Sequence, residues 1–257
     1  KMAKVGFIGM GNMGYAILKG LLAYMSEKEV TFSEVNRERM LWVEEQTGVQ
    51  AAADGKACAA QSKYVILAVK PQYFSQVMEE LASVITPEQV VISIAAGIDV
   101  QYLKEQLGFD KRIVRAMPNT PALVGEGMSG VCMEKEWFSP DEINEIECIF
   151  NSFGKMKFVP ESLIDAVGCV SGCSPAYVYM FIEALADGAV KYGLPRKDAY
   201  EMAAQAVLGS ARMVLETGKH PGELKDMVCS PGGTTIEGVS ALEENGFRSA
   251  IIKACDA

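Results

Sequence analysis

Residues 5–14 constrain this chain more than any other stretch. They read Val5-Gly6-Phe7-Ile8-Gly9-Met10-Gly11-Asn12-Met13-Gly14, an apolar run that breaks into glycines at the spacing G-x-G-x-x-G and continues into an Ala- and Leu-rich segment. Each glycine answers a different mechanical need of a strand that turns sharply into a helix. Gly9 makes the tight turn, Gly11 lets a phosphate approach the backbone, and Gly14 lets helix and strand lie close together. The helix start over Gly11, Asn12, Met13 and Gly14 presents N–H groups and partial positive charge, so the turn is an anion cradle.

The segments that follow alternate in character. Apolar runs at 3–8, 29–33, 64–69, 90–94 and 112–116 predict strands, and amphipathic stretches at 13–25, 37–47, 72–84 and 100–107 predict helices. In 72–84 the positions Phe74, Val77, Met78, Leu81 and Val84 keep three-and-four spacing, the mark of one buried helix face. Alternation of this kind builds a doubly wound parallel sheet. Further elements at 128–133, 140–153 and 155–158 extend it. Beyond Pro160 the strand signal fades, and helices are predicted over 175–192, 197–217, 222–228, 234–245 and 246–254. Residues 175–190 are apolar or small on more than one face, which points to a subunit interface. The expected fold is therefore an α/β N-terminal Rossmann-type doubly wound sheet over 1–160, followed by an all-α C-terminal dimerisation and substrate domain over 161–257.

Charge and composition exclude several classes. Lys and Arg number 24 against 33 Asp and Glu, a net charge of −9, which argues against nonspecific nucleic-acid binding. No unbroken apolar run approaches the ~18–20 residues of a membrane span. No membrane span is therefore expected; the start leads directly into a strand, so no cleavable leader is expected either, and cytoplasmic residence is. The seven cysteines are scattered, no C-x-x-C exists and His220 is the only histidine. Buried thiols are expected, with no metal site.

Ligands of an open α/β sheet bind beyond the carboxyl ends of its strands. Those ends carry Ala68-Val69-Lys70-Pro71, the flat small-residue stretch Ala95-Ala96-Gly97, and Asn119-Thr120 between two prolines. The acid expected about 20 residues after the glycine loop falls on Glu34 and suits NAD. Asn36, Arg37 and Arg39 follow it, and a guanidinium suits the 2′-phosphate of NADP. NADP(H) is favoured, and the choice stays open at this level. In the helical half, Ser230-Pro231-Gly232-Gly233-Thr234-Thr235 is a second anion cradle of glycines, hydroxyls and a helix start. Ser171-Gly172-Cys173-Ser174 is read as another helix start.

The whole chain resembles pyrroline-5-carboxylate reductases. The resemblance rests on the Gly9 to Gly14 loop, Ala68-Val69-Lys70-Pro71-Gln72, Ala95-Ala96-Gly97, Met117-Pro118-Asn119-Thr120-Pro121 and His220-Pro221-Gly222-Glu223-Leu224-Lys225-Asp226. Its most specific part is Ser230-Pro231-Gly232-Gly233-Thr234-Thr235-Ile236 with Gly246-Phe247-Arg248-Ser249 downstream. It implies a homodimer through interlocked helical domains, assembled further into rings of dimers, and NADPH as usual donor with NADH tolerated. It also implies that Asn36 and Arg37 meet the adenosine ribose and its 2′-phosphate, and that Gly232, Gly233, Thr234 and Thr235 hold the carboxylate of a small cyclic imine. Asn119 frames that ring, and the Thr235 hydroxyl is the expected catalytic partner. Two departures stand out: Cys173-Ser174 replaces Ser-Gly, and Asp54-Gly55 stands where many members carry asparagine near the adenosine.

Two other readings compete. A 3-hydroxyacid dehydrogenase would share the architecture, but its catalytic lysine motif is missing around 171–179. A non-catalytic NAD(P)-sensing module would have no use for the second cradle.

Overall fold

The computed structural model describes residues 3–257. Two compact units emerge, the first ending at Cys173 and the second running from Ser174 to Ala257. In the first, β1 (Ala3–Ile8), β2 (Val30–Ser33), β3 (Ser62–Leu67), β4 (Val90–Ser93) and β5 (Arg112–Met117) form a parallel sheet in the order β2-β1-β3-β4-β5. The register sets Phe7 beside Phe32 on one side and Ile66 on the other. β6 (Gly127–Met133) pairs antiparallel with β5, and β7 (Gly154–Phe158) pairs parallel with β6 at the edge.

Helices α1 (Asn12–Leu21), α2 (Arg37–Thr47), α3 (Gly55–Ala60), α4 (Phe74–Leu81), α5 (Val100–Leu107) and α6 (Pro140–Asn151) cover the sheet. Every residue of β2 and β4 is buried, as expected of parallel strands covered on both faces. Alternation along each strand divides the apolar side chains between two cores. Phe7, Tyr64, Ile66 and Ile92 pack with Ile17 and Leu21 of α1 and Ile146 and Phe150 of α6. Ile8, Val65, Leu67 and Val91 pack with Cys58, Phe74, Met78 and Leu103 of α3 to α5. The strands appear where predicted, to within two residues at their ends. The helix expected over 72–84 begins as a single-turn 3-10 helix, Pro71–Tyr73, and α4 ends at Leu81. The helix α3 was not expected.

At the amino ends of the strands, α6 is pinned by charge. Glu142 Oε1 accepts from Lys63 Nζ at 2.6 Å, and Arg112 Nη1 donates to both carboxylate oxygens, to Oε1 at 2.8 Å and Oε2 at 2.7 Å. Glu145 pairs with Lys4 at 2.8 Å and accepts from the Tyr64 hydroxyl. Burial alone would raise the pKa of Glu142, but the bonds from Lys63 and Arg112 outweigh it and hold the carboxyl down to about 2. Of the cysteines expected to be buried, Cys58 and Cys132 are; Cys148, Cys173 and Cys255 are exposed in the single chain.

Helical structure continues from α7 (Ile164–Val167) through a π-helical stretch, Gly168–Cys173, into α8 (Ser174–Lys191). This corrects the reading of Ser171 to Ser174 as a helix start. The stretch Glu161–Lys191 is long and apolar enough to cross a membrane by length and composition, although it contains no unbroken apolar run of that length. The second unit is entirely helical: α8, α9 (Arg196–Thr217), α10 (Pro221–Val228), α11 (Thr234–Glu244) and α12 (Phe247–Asp256). Only small residues such as Ala186, Ala199 and Ala203 are buried within it, while Met180, Phe181, Leu185, Met202 and Ile251 stay exposed. Exposed apolar surface of this extent marks an interaction face.

Candidate active site

The turn after β1 has the geometry that its glycines predict. Gly9 sits at φ +89°, where a Cβ would also lie 2.9 Å from the Ala68 carbonyl oxygen. Gly11 is the N-cap of α1, and a Cβ built on it meets no atom within 4 Å. The first turn of α1 carries no acid, and no side chain of the N-cap bonds to it. The N–H groups of Asn12, Met13 and Gly14 therefore face outward with their partial charge uncompensated, as an anion site requires.

A cavity of about 590 Å³ opens beside this turn, bordered by Gly9 and Gly11, by Glu34 after β2, and by Ala68, Val69 and Lys70 after β3. The chain reverses strand order between β1 and β3, and the crevice at such a point is where open α/β sheets bind ligands. The tail of β2 is stapled to the phosphate loop. Glu34 accepts from the backbone N–H groups of Met10 at 2.9 Å and Asn36 at 2.8 Å. Arg39 donates from Nε to the Met10 carbonyl at 2.8 Å and from Nη2 to the Gly11 carbonyl at 3.3 Å. Its guanidinium also lies 4.5 Å from the Trp42 ring centroid and 5.2 Å from that of Tyr15.

The expected adenosine contacts separate here. Glu34 borders the cavity; Arg37, at the first position of α2, is exposed and does not. Asn36 caps α2, its Oδ1 accepting from Arg39 N at 2.9 Å. Asp54 also borders the cavity, and its carboxylate caps α3 through the Ala57 N–H at 2.7 Å. Sequence reasoning missed the apolar walls, Val35, Met40, Ala52 and Val77, because they come from separate segments that only the fold unites. It also missed the loop-holding task of Arg39. A bare helix N-terminus, a carboxylate able to meet hydroxyls and an apolar slot together fit a dinucleotide.

Further along the strand ends, Ala95 is buried, Ala96 and Gly97 are exposed, and none of the three borders this cavity. Pro71 opens the 3-10 turn that follows Lys70, which is exposed. Asn119, 8% exposed, is largely committed: its Oδ1 accepts from Met128 N at 2.7 Å and its Nδ2 donates to the Ser171 carbonyl at 3.0 Å. Four residues after Ser171 stands Pro175, which has no N–H to offer that carbonyl, so the asparagine supplies the missing donor. The Ser171 hydroxyl bonds back to the Val167 carbonyl at 2.9 Å.

In the second unit, Gly232 (φ +69°) turns the chain and Gly233 N-caps α11 without a side-chain bond. Thr234 and Thr235 open that helix and are exposed. His220 has a structural task, its Nδ1 accepting from Gly222 N at 3.0 Å at the start of α10. A smaller cavity of about 220 Å³ lies between α5 and β6, but its lysines are already paired, Lys104 with Glu134 at 2.9 Å and Lys111 with Asp110 at 2.8 Å.

A Rossmann-type sheet with a dinucleotide cavity at its switch point, joined to an all-helical unit, defines an NAD(P)-dependent oxidoreductase. Family models agree: residues 4–97 match the NADP oxidoreductase, coenzyme F420-dependent family, and residues 161–257 match pyrroline-5-carboxylate reductase dimerisation. The pyrroline-5-carboxylate reductase of Escherichia coli is 48% identical over 253 residues, covering 98% of this chain and 94% of that protein. Among solved structures, a pyrroline-5-carboxylate reductase from Coxiella burnetii superposes with a TM-score of 0.92 at 35% identity, covering 100% of this chain and 96% of that one. The Plasmodium falciparum pyrroline carboxylate reductase, solved with NADP bound, gives 0.88 at 32% identity, covering 99% and 94%. The chain belongs to the pyrroline-5-carboxylate reductase family.

Proposed function

We propose that this chain reduces 1-pyrroline-5-carboxylate to L-proline, the last step of proline biosynthesis. The observation that carries the reading is the bare, acid-free N-terminus of α1 opening on a cavity of about 590 Å³, in a chain that keeps the family's two modules from end to end. NADPH, when bound, supplies the hydride, and NADH is an admissible substitute.

The chain's own work is binding and orientation. Gly9, Gly11 and the first-turn N–H groups of Asn12, Met13 and Gly14 hold the pyrophosphate. Asn36 and Arg37, at the start of α2 just outside the cavity lining, reach the ribose and its 2′-phosphate from the solvent side; Ala68, Val69 and Lys70 wall the crevice, and Pro71 fixes the turn that follows them. Ala95, Ala96 and Gly97 offer a flat seat for the nicotinamide. The substrate carboxylate sits on Gly232, Gly233, Thr234 and Thr235, and the Thr235 hydroxyl gives the substrate a hydrogen bond. Asn119, with one amide N–H left over, frames the ring. A protonated cyclic imine accepts hydride readily, so no strong acid is required. What matters is holding the reacting carbons about 3–3.5 Å apart.

On this reading residues 1–160 form the dinucleotide domain and 161–257 the dimerisation and substrate domain. The exposed apolar helices of the second unit are covered in a homodimer, and the dimers join into rings. Residence is cytoplasmic. The test is to mix purified protein with 1-pyrroline-5-carboxylate and NADPH or NADH, follow reduced-nicotinamide absorbance, and identify the product. Substrate-dependent oxidation with proline formed supports the assignment. No oxidation by folded protein with either cofactor removes it.

A further inference from the structure

We propose that Arg115 and Glu161 are positioning residues for hydride transfer, a buried clamp that holds the loop of Ala95, Ala96 and Gly97 in place under the nicotinamide. The inference rests on the reading of that loop as the nicotinamide seat.

Residues 94–99 link β4 to α5, and Gly97 turns the chain there at φ +75°. The first half of this loop is lightly held. Ile94 N reaches the Leu67 carbonyl and Ala95 N the Ser93 hydroxyl, both at 3.4 Å, the outer limit of a hydrogen bond. The far end is held more closely. Asp99 caps α5, its Oδ1 accepting from Tyr102 N at 2.7 Å, and Glu161 Oε1 accepts from Val100 N at 2.8 Å. Val100 opens the helix, so its N–H has no intrahelical partner. The acid that meets it comes from a segment remote in sequence, the 3-10 turn after β7.

The same carboxylate oxygen accepts from Arg115 Nη1 at 3.0 Å. Arg115 lies within β5, in register with Ser93, the last residue of β4. The clamp therefore stands beside the start of the loop and grips its end. Arg115 is 6% exposed, and its Nε has no hydrogen-bond partner among the described residues. Neighbouring cations do not compete for Glu161: Lys104 pairs with Glu134, Lys111 with Asp110 and Arg112 with Glu142. A buried charge so sparsely bonded adds little net stability, because desolvation offsets the attraction. What the pair supplies is fixed geometry, and a misplacement of ~1 Å at a reacting centre costs about a hundredfold in rate.

The experiment compares the wild type with Arg115→Met, which keeps most of the volume and removes the charge, and with Glu161→Asp, which keeps the charge and loses reach. Three quantities are read: amide exchange by mass spectrometry, affinity for 2′,5′-ADP, which has no nicotinamide, and kcat with NADPH and with its deuterated form. Both variants are expected to exchange faster over 94–103 but not over 62–67, and to bind 2′,5′-ADP as the wild type does. Their kcat should fall about tenfold or more, with a larger isotope effect. Should Arg115→Met fail to fold, Glu161→Asp carries the test, since the Glu161 side chain is 38% exposed. Unchanged exchange, wild-type kcat, or a loss of 2′,5′-ADP affinity equal to the loss in kcat would reduce the pair to a structural bridge and overturn the inference. The reading beneath it is tested separately by Ala96→Val, which crowds the seat at an exposed position and leaves the clamp alone. A wild type without imine-dependent turnover, or Ala96→Val equal to it in NADPH affinity and kcat, would remove the seat and the inference together.

Discussion

Substituting Gly11 by alanine separates binding from folding. A methyl group there meets nothing within 4 Å, and the residue's backbone (φ −72°, ψ −164°) is open to any L-amino acid. Alanine is a poorer N-cap than glycine but restricts the unfolded chain, two effects of about 0.5–1 kcal/mol with opposite sign. Stability should stay within about 1 kcal/mol of wild type. The new methyl nonetheless enters the space in front of the first-turn N–H groups of α1, where a phosphate must come close. Losing one charge-assisted hydrogen bond costs about 1.5–3 kcal/mol, or roughly 10- to 150-fold in dissociation constant. Calorimetric melting and a fluorescence titration with NADPH measure the two quantities on one sample. Gly9→Ala is the control: at φ +89° with the Ala68 carbonyl oxygen 2.9 Å from the Cβ, it should lose stability as well as binding. Normal NADPH affinity in Gly11→Ala would refute the assignment of this turn as the phosphate cradle.

Two further outcomes follow from the same reasoning. Thr235→Ala should raise KM and lower kcat/KM about tenfold or more, the value of one hydrogen bond to a charged group, with unchanged melting; kinetics equal to wild type would remove Thr235 from the site. Glu142→Gln should cost up to about 3 kcal/mol of stability at neutral pH, since the carboxyl is held down to about 2 from a usual 4.5. Because the folded-state value is depressed, that contribution is complete above about pH 4.5 and fades as pH falls toward 2, so the mutant deficit in chemical denaturation should narrow on acidification. A deficit independent of pH would contradict the ion-pair account.

Local chemistry made some of this legible in the sequence. The Gly9 turn could be read because glycine suits its positive φ, and the central strands because their apolar runs are short and rich in β-branched Val and Ile. Helix α3 was invisible: Gly55-Lys56-Ala57-Cys58-Ala59-Ala60 is too short for a periodic face, and Asp54 as N-cap is its main signal. The antiparallel direction of β6 leaves no trace in residue pattern, since alternation is the same either way. Around Ser171 the glycine, serines and Pro175 suggested a break. The helix runs on because a π-helical turn absorbs the irregularity and Asn119 satisfies the carbonyl that Pro175 cannot. Sequence spacing found Glu34 and Arg37 equally; the fold distinguished them by setting one at the cavity and the other at the surface.

The most direct test of the central claim follows the hydride itself. The protein is given 1-pyrroline-5-carboxylate with NADPH deuterated at the transferable position of nicotinamide carbon 4, and the product is analysed by mass spectrometry and NMR. The account predicts L-proline carrying one deuterium at the former imine carbon. Oxidation of the cofactor that leaves no deuterium in proline, or yields no proline, would contradict it.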